Sequence, residues 1–172
     1  MKFYIIAGEA SGDLHGSNLM KGIYRNCPDA EIRFRGGDMM AAVGGTKVRD
    51  YREGAVMGLS DVLRKAGRLL TDLRDCKRDI AAWKPDAVIL IDYPGFNMKI
   101  ARFCHEKGIK VFYYIAPKTW ASREGRNKKL KKYVDMLFPV FPFELEYFKS
   151  RGIPFIYEGN PLLDAVDNHD YK

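Results

Sequence analysis

Cysteine is scarce in this sequence, and it contains no long apolar run. The three cysteines, Cys27, Cys76 and Cys104, lie far apart without a CxxC pair, so they favour neither a disulfide framework nor a zinc site and are typical of a reducing compartment. No run approaches the ~18 apolar residues of a membrane span. The first segment, MKFYIIAGEASGD, meets charged residues too early for a signal peptide. We therefore expect a cytoplasmic protein with neither an export signal nor a spanning helix.

The familiar catalytic and nucleotide-binding signatures are also missing. The sequence has no GxGxxG, GxxxxGK[ST], HExxH or GxSxG. Its three histidines, His15, His105 and His169, lack the spacing of a metal site or a catalytic dyad. We expect them on the surface or in helix packing, and we expect no metal and no cofactor.

The chain has the size and the core material of one globular domain, with 172 residues of which 47% are apolar. Strand-like apolar runs recur at 3–7, 31–35, 87–91, 110–115, 136–141 and 154–158. Helical spacing occurs at 14–26, 38–44, 59–82, 96–107, 123–133 and 143–151, with a break expected near Gly67. This alternation predicts an α/β fold of βαβ units around a mainly parallel sheet. The nearly continuous FYIIA and AVILI runs predict its central strands.

In a parallel sheet, ligands bind at the loops that follow the strands. The first such loop is GEASGD, where Gly8 and Gly12 permit close backbone approach and Ser11 or Asp13 is suited to cap the following helix. The free amides of that helix favour an anion or a sugar hydroxyl. Because Glu9 and Asp13 disfavour a tightly held pyrophosphate, sugar hydroxyls are the better ligand. A capped turn without any ligand is the structural alternative.

The loop after AVILI is DYPGFN, and it places Asp92 at the end of a buried strand. Partial burial raises the pKa of a carboxylate, and a Pro-Gly turn fixes its direction. Asp92 is therefore the candidate general base. Capping the helix that begins near Phe96 is the alternative role. Asn97 is a candidate hydrogen-bonding group at the same rim.

The loop after KVFYYI, APKTWASREGR, predicts a stiff, partly apolar ledge at Pro117 and Trp120 that suits a sugar ring. Arg123 and Arg126 lie about one turn apart and suit a phosphate. Packing of Trp120 beneath the basic helix is the alternative. Glu144, in the first turn of the last predicted helix, completes the candidate set, although a structural role suits it best.

The formal charge of +7 is concentrated in residues 118–132, which hold seven basic side chains and one acidic one. A solvated helix face, nucleic acid, a phosphorylated substrate and an acidic membrane surface all remain open. Nucleic-acid binding favours aromatic side chains interleaved with the lysines. NKKLKK offers only Leu130 and the nearby Tyr133.

An ordered set of motifs resembles a known family. The motifs are GEASGD (8–13), AVMG (55–58), DYPGFN (92–97), APKTWA (116–121), FPFE (141–144) and GNP (159–161). In order and spacing they resemble the N-terminal half of lipid-A-disaccharide synthases. The resemblance implies a Rossmann-like three-layer sandwich that forms one half of a GT-B glycosyltransferase. It implies an acceptor-side domain over 1–166, a tail or the start of an interdomain link over 167–172, and a UDP-sugar-binding C-terminal domain that this chain lacks.

The resemblance also implies a reaction. A 2,3-diacylglucosamine unit passes with inversion from UDP-2,3-diacylglucosamine to 2,3-diacylglucosamine 1-phosphate, forming the β-1,6 lipid A disaccharide of lipopolysaccharide. Asp92 matches the family's aspartate proposed to deprotonate the acceptor 6-hydroxyl. We expect little or no activity from this half alone. One half of a sugar-nucleotide epimerase of related architecture is an alternative that the motifs fit less well.

The acylated substrates imply peripheral binding to the inner face of the inner membrane. In that interpretation, basic residues face anionic headgroups and an apolar patch accepts acyl chains. The basic set is Arg123, Arg126, Lys128 and Lys129, and the apolar set is Val56, Met57, Leu59 and Leu63. No nucleic-acid partner is expected.

Overall fold

The computed structural model describes residues 1–54, 62–118 and 125–161. The strands in these ranges are β1 (Lys2–Ala7), β2 (Glu31–Gly36), β3 (Thr46–Asp50), β4 (Ala87–Ile91), β5 (Lys110–Tyr114) and β6 (Met136–Phe138). The helices are α1 (Ala10–Asn26), α2 (Asp38–Val43), α3 (Val62–Trp83), α4 (Pro94–Glu106), α5 (Gly125–Tyr133) and α6 (Pro142–Ser150). A short 3₁₀ helix, Tyr51–Gly54, follows β3.

The six strands form one parallel sheet in the order β3-β2-β1-β4-β5-β6. This confirms the predicted α/β fold and the central position of the FYIIA and AVILI strands. Every residue of β4 is buried, as expected for a strand covered on both faces. The strand order reverses between β1 and β4, and a crevice for ligands opens at the carboxyl ends of strands at such a switch point.

Alternate residues of the strands supply two apolar cores, one on each side of the sheet. Ile5 of β1 packs with Met20 of α1 and Met40 of α2. Tyr4 of the same strand packs into the opposite core, with Ile80 of α3 and Ile100 of α4. The result is a three-layer sandwich whose loops at the carboxyl edge carry the polar motifs.

Several predicted elements need correction. Helix α3 runs without a break through Gly67, because a glycine weakens a helix by only about 1 kcal/mol and strong helix formers surround this one. Strand β6 ends at Phe138, since Pro139 lacks an N–H group for a sheet hydrogen bond. Residues 154–158 contribute only an isolated bridge from Phe155 to Leu137. The short strand β3 was not predicted at all.

Among the helices of the described ranges, none combines the length and the apolar content needed to cross a bilayer.

Candidate active site

Asp92 directly follows β4, and its backbone is strained. Asp92 and Tyr93 have φ angles of 40° and 46°, in the left-handed region that residues other than glycine rarely adopt. Two buried donors hold this turn. The Tyr113 hydroxyl donates to the Asp92 carbonyl oxygen at 2.6 Å, and Asn97 Nδ2 donates to the same oxygen at 2.9 Å and to the carbonyl oxygen of Ile91 at 3.2 Å. Asp92 is therefore positioned by residues of the neighbouring strand and of α4.

Asp92 lines a cavity of about 130 Å³ at the carboxyl edge of the sheet, here called the Asp92 pocket. Helix α1 contributes Ser11, Gly12 and His15 to its wall. The remaining lining residues come from the ends of β4 and β5 and from the segments after β6: Ile91, Ile115, Ala116, Lys118, Val140, Phe141, Asn160 and Pro161. The pocket therefore combines a carboxylate, a hydroxyl, an imidazole and an amine within a largely apolar wall.

Burial raises the pKa of the Asp92 carboxyl group, and the negative charge of Glu9 raises it further. The Lys118 ammonium group and the backbone N–H of Tyr93 act in the opposite direction. Within the described ranges, Asp92 forms no ion pair. A half-buried carboxylate with a raised pKa and no paired counter-ion is suited to accept a proton.

The first loop supplies polar groups on the other side of the switch point. The Ser11 hydroxyl donates to Glu9 Oε1 at 2.7 Å, and both side chains are exposed. Helix α1 begins at Ala10 with Glu9 as its N-cap and without a side-chain cap bond. The prediction that Ser11 or Asp13 caps α1 is therefore wrong.

Asp13 caps a different helix. Its side chain is 4% exposed, and Oδ1 accepts hydrogen bonds from the amides of Gly37 at 2.7 Å and Met40 at 3.1 Å. Oδ2 accepts one from the Met39 amide at 3.1 Å. These groups are the free N–H groups at the start of α2. This geometry gives Asp13 a structural role in the fold, and its expected contact with a substrate stays a prediction.

Three further members of the candidate set are buried. Asn97 is fully buried and acts on the backbone of Asp92, as described above. Glu144 is fully buried, and its Oε2 accepts the amides of Val140 and Phe141, each at 3.1 Å. Pro117 is buried and does not line the Asp92 pocket, so it forms no exposed ledge. The structure thus gives Asn97 and Glu144 structural or positioning contacts, and the contacts with substrate expected of all three residues stay a prediction.

The candidate residues of the basic and apolar segments are only partly described. Arg126 is half-buried, and its positive charge acts on the Tyr113 hydroxyl, whereas Lys128 and Lys129 are exposed on α5. Trp120, Arg123, Val56, Met57 and Leu59 lie outside the described residues, and so does the side chain of Leu63.

His15 belongs to the pocket, although only a surface or packing role was predicted for it. Its side chain is 7% exposed, and its Nδ1 has no hydrogen-bond partner among the described residues. Burial lowers the pKa of the imidazole, which favours the neutral ring. His15 follows Ser11 by four positions, so the two share one face of α1. That spacing was the signal available in the sequence.

Solved structures share this architecture. The UDP-GlcNAc 2-epimerase from Neisseria meningitidis, bound to UDP-GlcNAc, matches with a TM-score of 0.71 at 12% identity, over 97% of this chain and 49% of that chain. MurG from Acinetobacter baumannii matches with a TM-score of 0.61 at 11% identity, over 93% and 45%. Likeness at such identities concerns the fold alone. Together with the sheet order, it defines the chain as a Rossmann-like half of a GT-B fold.

Sequence comparison adds the family. The chain belongs to the lipid-A-disaccharide synthetase family, whose model matches residues 3–172. The lipid-A-disaccharide synthase of Geobacter metallireducens is 46% identical over 162 residues, which are 94% of this chain and 42% of that protein. The one of Syntrophus aciditrophicus is 40% identical over 162 residues, with the same shares. The resemblance drawn from the motifs is confirmed, and the chain spans less than half the length of these relatives.

Proposed function

We propose that this chain is the acceptor-side half of a lipid-A-disaccharide synthase, with Asp92 as the general base. The donor is UDP-2,3-diacylglucosamine and the acceptor is 2,3-diacylglucosamine 1-phosphate. The family membership supports the reaction, and the environment of Asp92 supports the assignment of the base. The observation that carries the proposal is a carboxylate at the switch point that lines a pocket, has a raised pKa and forms no ion pair within the described ranges.

In the proposed step, the oxygen of the acceptor 6-hydroxyl attacks the anomeric carbon of the donor from the side opposite UDP. The hydroxyl proton passes to Asp92, and the bond between the anomeric carbon and the UDP oxygen breaks, with its electron pair leaving on UDP. Attack from the opposite side inverts the configuration and gives the β-1,6 linkage. A base of raised pKa favours this transfer because its basicity lies closer to that of the developing alkoxide.

The proposal needs two further partners. A second domain, corresponding to the part of the curated relatives that this chain does not cover, holds the donor and stabilises the leaving UDP. An anionic membrane surface presents the acylated substrates, and the exposed lysines of α5 face it. Leu70 of α3 is 57% exposed, and we assign it to the apolar part of this membrane interface. We place the enzyme in the cytoplasm, peripheral on the inner face of the inner membrane.

Two alternatives receive less support. Leu130 of the basic segment is fully buried, and the Tyr133 ring is engaged edge-on with His105 at 5.6 Å between ring centroids. Leu130 therefore offers no stacking surface, and one tyrosine beside NKKLKK falls short of the interleaved aromatic side chains that nucleic-acid binding favours. The epimerase alternative matches at the level of the fold alone.

The decisive experiment fuses this chain to the uncovered portion of the Geobacter metallireducens relative and measures UDP release. Asp92→Asn is expected to lower kcat by about 10²- to 10⁴-fold with little change in KM. Asp29→Asn, on an exposed turn, is the matched control and is expected to retain full activity. An active fusion in which Asp92→Asn turns over normally contradicts the role of the base, and a correctly folded fusion without transferase activity contradicts the proposed reaction.

A further inference from the structure

A second and larger cavity lies beside the Asp92 pocket, at the ends of β1, β2 and β3. Its volume is about 350 Å³, and we call it the Arg49 cavity. Ligand pockets usually measure about 300–1,000 Å³, so this cavity is large enough for a small ring compound, whereas the Asp92 pocket is not. The two cavities share their loops, because Glu9 and Tyr93 line this one while Ser11 and Asp92 line the other.

Most charges of the Arg49 cavity are already paired. Asp72 of α3 binds the guanidinium groups of both Arg35 and Arg49, the latter at 3.1 Å. Asp50 binds Arg52 at 2.7 Å and Lys47 at 3.1 Å. Two arginines therefore face three carboxylates in the lining, which are Glu9, Asp50 and Asp72. A phosphate would have to compete with Asp72 for both guanidinium groups and would meet the charge of Glu9, so this cavity disfavours anions.

Neutral hydroxyl groups fit this lining better. A hydroxyl donates one hydrogen bond and accepts others, so a polyol can bind paired carboxylates and guanidinium groups without displacing either. Aromatic side chains supply the apolar part of the wall. Tyr93, 37% exposed, is stacked on Phe96 with 5.6 Å between ring centroids, and Tyr51 also lines the cavity. Carbohydrate rings present this combination of hydroxyl groups and C–H surface.

We infer that the Arg49 cavity binds the uncharged pyranose ring of the acceptor, with its reactive hydroxymethyl arm extending past Glu9 into the Asp92 pocket. This assignment of ring and arm follows from the two volumes. The Asp92 pocket admits one hydroxyl-bearing arm, whereas the Arg49 cavity admits the ring. The acceptor phosphate lies outside both cavities. The identity of the ring as an acceptor rests on the proposed function, whereas the preference for a neutral sugar over an anion rests on the lining alone.

The test is a titration of the ¹⁵N-labelled chain with N-acetylglucosamine and, separately, with inorganic phosphate. We expect the sugar to cause saturable shifts of the amides of Gly8, Asp50, Tyr51 and Tyr93, and phosphate to leave them unmoved. Arg49→Met is expected to weaken sugar binding by about tenfold, because a hydrogen bond from a charged donor is lost.

Arg33→Met is the matched control. The side chains of Arg33 and Arg49 are each 31% exposed, and each binds an aspartate of α3, but Arg33 pairs with Asp79 and does not line the cavity. Sugar affinity in Arg33→Met is expected to stay within twofold of the parent. An equal loss in both variants, no saturable shift with the sugar, or phosphate shifts at the same amides would each overturn the inference.

The outcomes separate this inference from the proposed reaction, because the titration requires neither donor nor second domain. If the chain shows sugar shifts but its fusion lacks transferase activity, the binding site is supported and the proposed reaction is rejected. An active fusion whose isolated half shows no sugar shifts rejects the binding site alone.

Discussion

The α-carbon of Gly8 lies against the ring of Tyr93, so that a methyl group placed on Gly8 would fall 2.4 Å from the Cγ and Cδ1 atoms of that ring. The contact joins the loop after β1 to the loop after β4 at the switch point of the sheet. Phe96 supports the Tyr93 ring, with the ring planes inclined by 25°. The left-handed turn that carries Asp92 is therefore packed from both sides.

Gly8→Ala is expected to destabilise the chain by about 1–3 kcal/mol, because the tyrosine ring has to move. Gly22→Ala is the matched control: an added methyl group there meets nothing within 4 Å, and the site lies inside α1. That control is expected to stabilise the chain by about 0.5–1 kcal/mol. Urea unfolding of both variants measures the difference, and equal effects would contradict the close contact.

Tyr113→Phe removes one of the two donors to the Asp92 carbonyl oxygen. We expect a loss of about 1 kcal/mol, because Asn97 still satisfies that oxygen. Asn97→Ala is expected to lose more, since it removes donors to two carbonyl groups and empties a buried site. Tyr24→Phe, whose hydroxyl bonds to no described residue, is the control for loss of a phenolic oxygen. Thermal and urea unfolding check the order of the three, and a neutral Tyr113→Phe would refute the proposed restraint.

Asp92→Asn is expected to stabilise the chain at neutral and alkaline pH. The folded-state pKa of Asp92 is raised, so the folded chain binds its proton more tightly than the unfolded chain does. The ionised carboxylate therefore destabilises the fold once the pH exceeds both pKa values, and this penalty disappears when the group is protonated in both states. Asparagine also tolerates the left-handed backbone.

The gain in unfolding free energy from Asp92→Asn should thus be present at about pH 8 and shrink toward about pH 3. A double-mutant cycle with Glu9→Gln separates charge from backbone preference. Removing the charge of Glu9 lowers the pKa of Asp92, so the gain at alkaline pH should be smaller in that background. A gain that is independent of both pH and Glu9 would rule out the electrostatic explanation.

The exposed lysines of α5 are expected to bind anionic membranes. Each basic residue near the surface contributes about 1 kcal/mol, so Lys128→Gln with Lys129→Gln should weaken vesicle binding about thirtyfold. Lys99→Gln with Lys107→Gln removes the same charge from exposed positions on and after α4 and is expected to have a much smaller effect. Flotation with vesicles rich in anionic lipid at low salt measures both. Equal losses would indicate attraction by net charge alone.

The cysteines are expected to differ in reactivity. Burial raises the pKa of Cys76 to about 11 and that of Cys104 to about 12, and both side chains are fully buried. Cys27 is half-buried. A thiol reagent should label one cysteine rapidly in the native chain and all three after unfolding. Rapid labelling that persists in Cys27→Ser would show that the core opens locally and exposes Cys76 or Cys104.

The sequence predicted the parts of the fold that depend on local patterns. Strands β1 and β4 are continuous apolar runs, and their central position follows directly from that composition. Strand β3 lies at the edge of the sheet and reads TKVRD, so it lacks an apolar run and pairs with β2 along one side only. Such a strand is stabilised by pairing with its neighbour, so its own residues give little indication that they form a strand.

The candidate site likewise contains residues whose position follows from local sequence and residues whose role depends on tertiary packing. Asp92 was predictable because its place at the end of an apolar strand is visible in the sequence, whereas the hydrogen bond that its carbonyl oxygen accepts from Tyr113 of the neighbouring strand is not. The role of Asp13 was not, because its three amide partners lie 24 to 27 residues away and are brought near by the packing of α1 against α2. The ion pairs of Asp72 with Arg35 and Arg49 likewise join a helix to two strands, and local spacing carries no trace of them.

The residues of the first loop differ in how far they can be substituted without disturbing the fold. Asp13 accepts hydrogen bonds from three backbone amides of the Gly37–Met40 turn. Its replacement would therefore leave the start of α2 uncapped and disturb the neighbouring core before it altered any preference for ligand. Glu9 and Ser11 have no comparable structural role within the described ranges, where their exposed side chains form a hydrogen bond with each other. Libraries that vary Glu9 and Ser11 and keep Asp13 constant would therefore test ligand preference with few unfolded members.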